Sequence, residues 1–206
     1  ADGSVSWALA PQSRLGVGVY ASQYQAKDDS EETDAYGAGV GYSYRWSDVT
    51  GFEAQLFYEN NDVSVYEPVR SEESTSGWGG SLTAFRKLEV SDWRFTISRT
   101  FIPTGDGGKS ESDQFRLQYK RDLSERLSFL GAGRYEKRSA LTDTGGGDDR
   151  DYARADLSLN WFMTETWYVR GGYSYIWQDR EDQAGDADNN QLFLGVGYQG
   201  LRRQRR

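Results

Sequence analysis

Ten stretches of the chain alternate apolar with polar or glycine residues at a strict two-residue period. In the clearest copy, Ala153, Ala155, Leu157, Leu159 and Trp161 alternate with Arg154, Asp156, Ser158, Asn160 and Phe162. After the break at Met163 to Glu165, Trp167, Val169, Gly171, Tyr173, Tyr175 and Trp177 alternate with Tyr168, Arg170, Gly172, Ser174, Ile176 and Gln178. Successive side chains of a strand point to opposite faces, so each stretch has one apolar and one polar face. The pattern predicts strands near 13–25, 35–46, 51–60, 76–87, 91–102, 113–121, 126–137, 151–162, 166–178 and 190–200.

Composition bears on which face looks inward. Hydrophobic residues make up 36% of 206, with 24 Gly, 3 Pro and 15% aromatics; mean hydropathy is -0.80. No run approaches the roughly 20 apolar residues of a spanning helix. A membrane barrel escapes such scans, because only alternate residues face lipid. Each predicted strand has the length of about 9 to 11 residues that a tilted strand needs to cross, or slightly more. A soluble barrel is the rival; it would bury Leu157, Leu159, Val169 and Tyr173 and expose Arg154, Arg170 and Gly172.

Connections fall into two classes. Ser47 to Thr50, Leu88 to Val90, Asp122 to Glu125 and Met163 to Glu165 are short, whereas 26–34, 61–75, 103–112, 138–150 and 179–189 are long, acidic and rich in Gly, Ser and Asp. Trp46, Trp93, Trp161 and Trp167 sit beside short turns, and Trp78 and Trp177 near the long loops. Two interfacial belts of amphipathic rings predict that placement.

With these features the chain resembles the bacterial outer-membrane β-barrels. Asn160 to Tyr198, with the Trp-Tyr-Val-Arg-Gly-Gly-Tyr-Ser-Tyr strand and the closing Leu-Phe-Leu-Gly-Val-Gly-Tyr strand, is similar to barrel porins found with exopolysaccharide operons. The resemblance implies an all-β, ten-stranded, antiparallel up-and-down transmembrane barrel with short periplasmic turns, long extracellular loops and both termini on the periplasmic side. It implies one domain over 1–201, with 1–12 as an N-terminal periplasmic segment and 202–206 as a basic tail. Such barrels commonly finish on an aromatic; here Tyr198 is followed by Gln199, Gly200, Leu201 and then Arg202 to Arg206. Residue 1 is Ala without a hydrophobic leader, so a signal peptide has been removed or was never attached.

Taking the apolar parity as outward, the ionisable lumen set is Arg45, Glu53, Glu59, Lys87, Arg94, Arg116, Lys120, Arg134, Glu136, Arg154, Asp156 and Arg170. Eight of these twelve are basic although the formal net charge is -8. The acid is therefore concentrated in Asp28 to Glu32, Glu72 to Glu73, Asp148 to Asp151 and Asp179 to Asp188. A basic lumen under an acidic vestibule predicts preference for carboxylate or phosphate groups; the alternative is a plug of mutually paired charges. Gly16, Gly18, Gly37, Gly39, Gly41, Gly195 and Gly197 share the inward parity. If the barrel closes between its first and last strands, they form one glycine sector, over which Phe57, Phe85 and Tyr168 could fold. Arg99 breaks the scheme, sharing the outward parity of Trp93, Phe95, Ile97 and Phe101; a bulge or a place at the rim would accommodate it.

The chain has no His and no Cys. Ser-His catalysis, His-ligated metals and thiolate chemistry are thereby excluded. A carboxylate pair, with Glu53 and Glu59 or Asp156 and Glu136 as candidates, could still hydrolyse a glycosidic bond. The acidic loops 145–151 and 179–188 lack the ligand spacing of an EF-hand. No cofactor or metal is expected, and the negative charge argues against nucleic acid as a partner. The expected partners are outer-membrane lipid and lipopolysaccharide, with an envelope or export-complex protein as a further candidate. The function expected is a small non-enzymatic channel or export-associated pore for anionic or sugar-acid solutes. The alternatives are a closed barrel serving as scaffold, adhesin or assembly partner through its loops, or the last ten strands of a larger porin.

Overall fold

The computed structural model describes residues 1–25, 31–65, 71–103, 109–140, 149–180 and 185–199. They form β1 (Asp2–Ala10), β2 (Ser13–Gln25), β3 (Glu31–Ser47), β4 (Thr50–Val65), β5 (Ser71–Lys87), β6 (Ser91–Pro103), β7 (Lys109–Asp122), β8 (Leu127–Ala140), β9 (Arg150–Phe162), β10 (Trp167–Arg180) and β11 (Ala187–Tyr198). All belong to one antiparallel sheet in sequence order. The basic tail lies outside the described residues, as do parts of the acidic runs at 28–32, 148–151 and 179–188.

The sheet has eleven strands where the alternation predicts ten. Residues 1–12, expected as a periplasmic segment, contain β1, which places Val5 and Trp7 beside Val17 and Leu15 of β2. The Ala1 ammonium donates to the Ala21 carbonyl at 2.6 Å, so Ala1 lies at the long-loop end of the sheet and not, as expected, at the short-turn end. Strand structure also runs into every segment expected as a long loop: β3 and β4 pair from Ser47↔Thr50 out to Glu31↔Val65. The alternation fades there because both faces are polar beyond the membrane, while backbone pairing continues.

Among the described residues β1 pairs only with β2, and β11 only with β10. The expected contact of the Ser13–Gln25 strand with the last strand is therefore absent, and both sheet edges are bare. An odd number of antiparallel strands makes these two edges run in the same direction.

Short turns hold their own backbone. Ser124 Oγ accepts from the Leu127 and Arg126 amides at 3.1 and 3.3 Å. Thr164 Oγ1 does the same for Trp167 and Thr166 at 3.0 and 3.3 Å. A hydroxyl that bonds amides two and three residues ahead fixes a tight reversal without glycine.

Burial is inverted relative to a soluble sandwich. Six of the seven buried polar residues among those described, Asn61, Ser110, Ser112, Glu136, Ser158 and Ser174, lie on the parity of the predicted lumen set, and the seventh, Ser13, opens β2 beside a short turn, whereas Val19, Leu56, Trp78, Ile97, Leu157 and Trp161 are exposed. An apolar outer face and a polar interior are what a lipid environment selects.

One pairing is incomplete. β4 and β5 pair over their whole length, to Val65↔Ser71, and β6 and β7 pair to Pro103↔Lys109. The β5–β6 ladder runs only from Lys87↔Asp92 to Gly80↔Arg99. Above that level, 71–79 of β5 and 100–103 of β6 continue as strands without pairing to each other.

Candidate functional site

Register determines which inward residues meet. Arg116 of β7, Arg134 of β8 and Arg154 of β9 stand directly opposite one another in one row. The row above holds Gln114, Glu136 and Tyr152, and the next holds Ser112, Arg138 and Arg150. Like charges opposite each other in a sheet repel, so this arrangement needs counter-charge. Glu136, only 1% exposed, supplies it: it accepts from Arg134, from Arg138 Nε at 2.7 Å and from Ser112 Oγ at 3.2 Å. Asp156 binds Arg154 through Nε and Nη2 at 2.7 and 2.9 Å. The Tyr152 ring lies between Arg134 and Arg150, 5.9 and 5.7 Å from their guanidinium carbons.

Five guanidinium groups thus face two carboxylates in this patch. Arg116 is exposed and makes no ion pair with a described residue, and the Nε atoms of Arg134 and Arg150 are buried without a hydrogen-bond partner. An unmet buried donor costs about 1–3 kcal/mol. A wall with surplus positive charge and unused donors is chemically suited to an anion.

The other predicted cations are spread over the same side. Arg94 lies over the Phe85 ring at 6.0 Å and Arg170 over the Phe193 ring at 5.5 Å. Lys120 approaches Asp122 at 3.7 Å. Arg45, on β3 opposite Gly51, is exposed and stands apart from this group, as does Glu53, opposite Thr83 on β5. Neither has an ion pair among the described residues. Glu59 accepts from the Tyr20 hydroxyl and from Asn61 Nδ2, the latter at 2.9 Å. Of the carboxylates in the candidate hydrolytic pairs, Glu136 and Asp156 hold guanidiniums, and Glu59 accepts from Tyr20 and Asn61.

The wall around the β2–β3 glycines is built from small residues. Gly16↔Gly41 and Gly18↔Gly39 are direct partners, with Ser6 and Ser4 beside them on β1, and a hollow of about 420 Å³ lies over them. Gly195 and Gly197 do not join this sector, because they lie on β11 opposite Arg170 and Tyr168. Aromatic rings fold onto glycines along the wall. A β-carbon at Gly79 would collide with the Phe57 ring, one at Gly51 would meet Phe85 Cζ at 3.1 Å, and one at Gly197 would collide with the Tyr168 ring. Rings laid flat on glycine leave the interior clearer than rings projecting across it.

On the lipid face, Tyr44, Trp46 and Phe52 cluster near a short turn, with Trp46 5.4 Å from Phe52. Trp167 packs on Tyr198 and Trp161 lies opposite Val169. Trp93 faces Tyr119. At the other rim Trp78 stacks on Tyr58 at 5.0 Å, and Trp177 donates to Asp186 at 2.9 Å. Trp7, which the sequence reading leaves out of the belts, is exposed beside Leu15. Arg99 stays on this outer face without a bulge: its register with β7 is continuous, and it is the last β6 residue to pair with β5.

Residues missed from sequence include Arg138, Arg150 and Ser112, assigned to loops although they continue the parity of Arg134, Arg154 and Gln114. Arg14, opposite Ala8 and Ser43, is a further inward cation on that parity.

Residues 4–199 match the family described as outer membrane protein β-barrel domain. No curated protein matches the chain. Among solved structures, the outer membrane channel DcaP of Acinetobacter baumannii aligns at 12% identity and TM-score 0.69, over 96% of this chain and 61% of that one. OmpT, an outer membrane protein of Vibrio cholerae, aligns at 10% identity and TM-score 0.48, over 96% and 64%. The toluene transporter TodX of Pseudomonas putida aligns at 13% identity and TM-score 0.40, over 95% and 81%. This chain therefore spans about 61% of the length of DcaP.

Proposed function

Because the chain belongs to the outer membrane protein β-barrel domain family and so resides in the bacterial outer membrane, we propose that it forms a non-enzymatic pore whose basic wall selects anionic solutes, sugar acids among them. The observation that carries this reading is the Arg116–Arg134–Arg154 row. It holds more guanidinium than carboxylate, with Arg116 exposed to the interior.

An arginine fork matches a carboxylate or phosphate in two parallel hydrogen bonds, and a low-dielectric wall strengthens the attraction. The uncharged wall of Gly16, Gly18, Gly39 and Gly41 faces no such solute electrostatically and leaves room beside it. A uronic or otherwise acidic sugar presents a carboxylate for the row and hydroxyls for Gln114, Gln118 and Ser112. The resemblance to barrels found with exopolysaccharide operons names the same chemical class. Catalysis is not part of the reading, since His and Cys are absent and the best-placed carboxylates hold arginines.

The test is conductance of the full-length protein in planar bilayers under a KCl gradient. A reversal potential of anion-selective sign is expected, moving toward zero in Arg116→Ala and further in Arg116→Ala/Arg154→Ala. Absence of conductance, or selectivity unmoved by both variants, refutes the proposal.

A further inference from the structure

Six cations on the inward parity stand within three residues of the short-turn end of their strands: Arg14 on β2, Arg45 on β3, Lys87 on β5, Arg94 on β6, Lys120 on β7 and Arg170 on β10. All six are exposed. Among the described residues only Lys120 makes an ion pair, with Asp122 at 3.7 Å. Arg94 and Arg170 lie over the Phe85 and Phe193 rings, contacts that orient a guanidinium without neutralising it.

Three carboxylates share this parity and height, Glu53, Asp92 and Asp122. Asp92 stands directly between Lys87 and Lys120, so the short-turn end keeps a surplus of positive charge. Its cations are spread from β2 to β10, whereas the arginine rows are gathered on β7, β8 and β9. The two groups also differ in height. Arg116, Arg134 and Arg154 stand six to eight residues from the short-turn ends of their strands. At about 3.3 Å per residue and a tilt of about 40° that is roughly 15–20 Å, about one to two Debye lengths beyond the mouth cations at physiological ionic strength. A solute therefore meets the two groups in succession.

The segments that join the opposite ends of the strands, 26–34, 61–75, 103–112, 138–150 and 179–189, carry the acidic excess of the chain. An anion arriving from that side meets negative charge first, and one arriving from the periplasm meets free guanidinium and ammonium. From this distribution we infer that the short-turn mouth is a capture site for anionic solutes of the periplasm, from which they pass to the Arg116–Arg134–Arg154 row. The inference rests on the anion-pore reading and deepens it by naming the side on which solute is loaded. Net transport still follows the solute's gradient. The asymmetry makes the pore rectify: voltage driving anions from the basic end toward the acidic end fills the lumen with carriers, and the opposite voltage depletes it.

The test compares currents of the full-length protein at equal positive and negative voltages in symmetric KCl. Protein added to one chamber inserts with its long charged segments left on that side, which fixes the orientation. At 0.1 M KCl the current should be about twofold or more larger when anions are driven from the short-turn side. At 1 M KCl, where the Debye length falls to about 3 Å from about 10 Å, the ratio should return to about one. Arg14→Ala/Arg45→Ala/Lys87→Ala should bring the ratio to about one already at 0.1 M, while the reversal potential under a KCl gradient keeps its anion-selective sign. The wild-type salt series decides if the triple variant does not insert. An anion-selective wild type with equal currents at 0.1 M, rectification of the opposite sign, or rectification that survives the triple variant overturns the capture site and leaves the anion pore standing. A wild type that does not conduct, or is not anion-selective, refutes both.

Discussion

Arg99 and Asp113 lie side by side on the lipid-facing surface of β6 and β7, with Arg99 Nε and Nη2 at 2.7 and 2.6 Å from the two carboxylate oxygens. Glu111 adds a third contact at 3.0 Å. Arg99 is eight residues beyond the start of β6 at Ser91, which at about 3.3 Å per residue and a tilt of about 40° is roughly 20 Å of height. The pair thus sits near the outer rim of a band about 25 Å tall. A cation at mid-membrane costs about 2–4 kcal/mol and one at the interface about 0–1 kcal/mol, and its own counter-ion lowers the cost again.

Removing only the acid should therefore be worse than removing both charges. Asp113→Ala is expected to lower unfolding stability in lipid vesicles by about 1 kcal/mol, while Arg99→Leu/Asp113→Leu stays within about 0.5 kcal/mol of wild type. Urea titration followed by Trp fluorescence measures both. A double variant less stable than Asp113→Ala would contradict the rim placement.

Glu136 supports a different prediction, because its carboxylate is enclosed between Arg134 and Arg138. Glu136→Gln keeps the shape and removes the counter-charge, leaving guanidiniums crowded around a neutral amide. Breaking a buried pair in this way costs about 3–5 kcal/mol. The variant should unfold at lower urea and, where folded, show a stronger anion preference, since one more positive charge faces the lumen. Unchanged stability would mean that Glu136 is not the counter-ion that holds the arginine rows together.

How far the sequence carries such arguments depends on the position. The two-residue period alone puts Arg116, Arg134 and Arg154 on one parity, because a strand has only two faces to offer. That they share a row is a matter of register, which turn geometry and backbone pairing decide and which no single strand encodes. Arg138 and Arg150 continue the same parity, but their outward neighbours Lys137 and Asp151 are charged, so the apolar half of the signal disappears while the strand goes on. β1 has its mark in the alternation of Val5, Trp7 and Leu9 with Ser4, Ser6 and Ala8, whose small residues make a weak polar face. The parting of β5 from β6 left no trace in periodicity; its sequence mark is the cluster Gly77, Gly79 and Gly80, which has meaning only once the opposing strand is known.

Glycine and ring are coupled at Gly197 and Tyr168. A β-carbon at Gly197 would collide with the end of the Tyr168 ring, while no backbone atom is among its nearest contacts. The ring can yield by swinging off the wall. Gly197→Ala should thus leave folding intact, as judged by heat-modifiable gel migration, and reduce single-channel conductance as the ring enters the lumen. Gly197→Ala/Tyr168→Ala should recover it. Conductance unaffected by the single change would show that Tyr168 does not border the conducting path.

The bare edges of β1 and β11 make the strongest demand on the membrane. Leu192 and Leu194 are 82% and 81% exposed, and each edge strand presents backbone donors and acceptors to no described neighbour. Lipid offers nothing to these groups, and each unmet one costs several kcal/mol in hydrocarbon, so a stable protein must cover both edges. Because β1 and β11 run in the same direction, direct closure between them would be parallel; strands supplied from elsewhere would permit antiparallel pairing. Either arrangement protects the same amides. Hydrogen exchange of the protein in outer-membrane vesicles is therefore expected to be as slow across Ser4 to Ala8 and Gln191 to Val196 as across Val17 to Tyr20 and Val169 to Tyr173. Rapid exchange confined to the two edge segments would show that the sheet stands open to water, and no enclosed lumen could then be assigned to this chain.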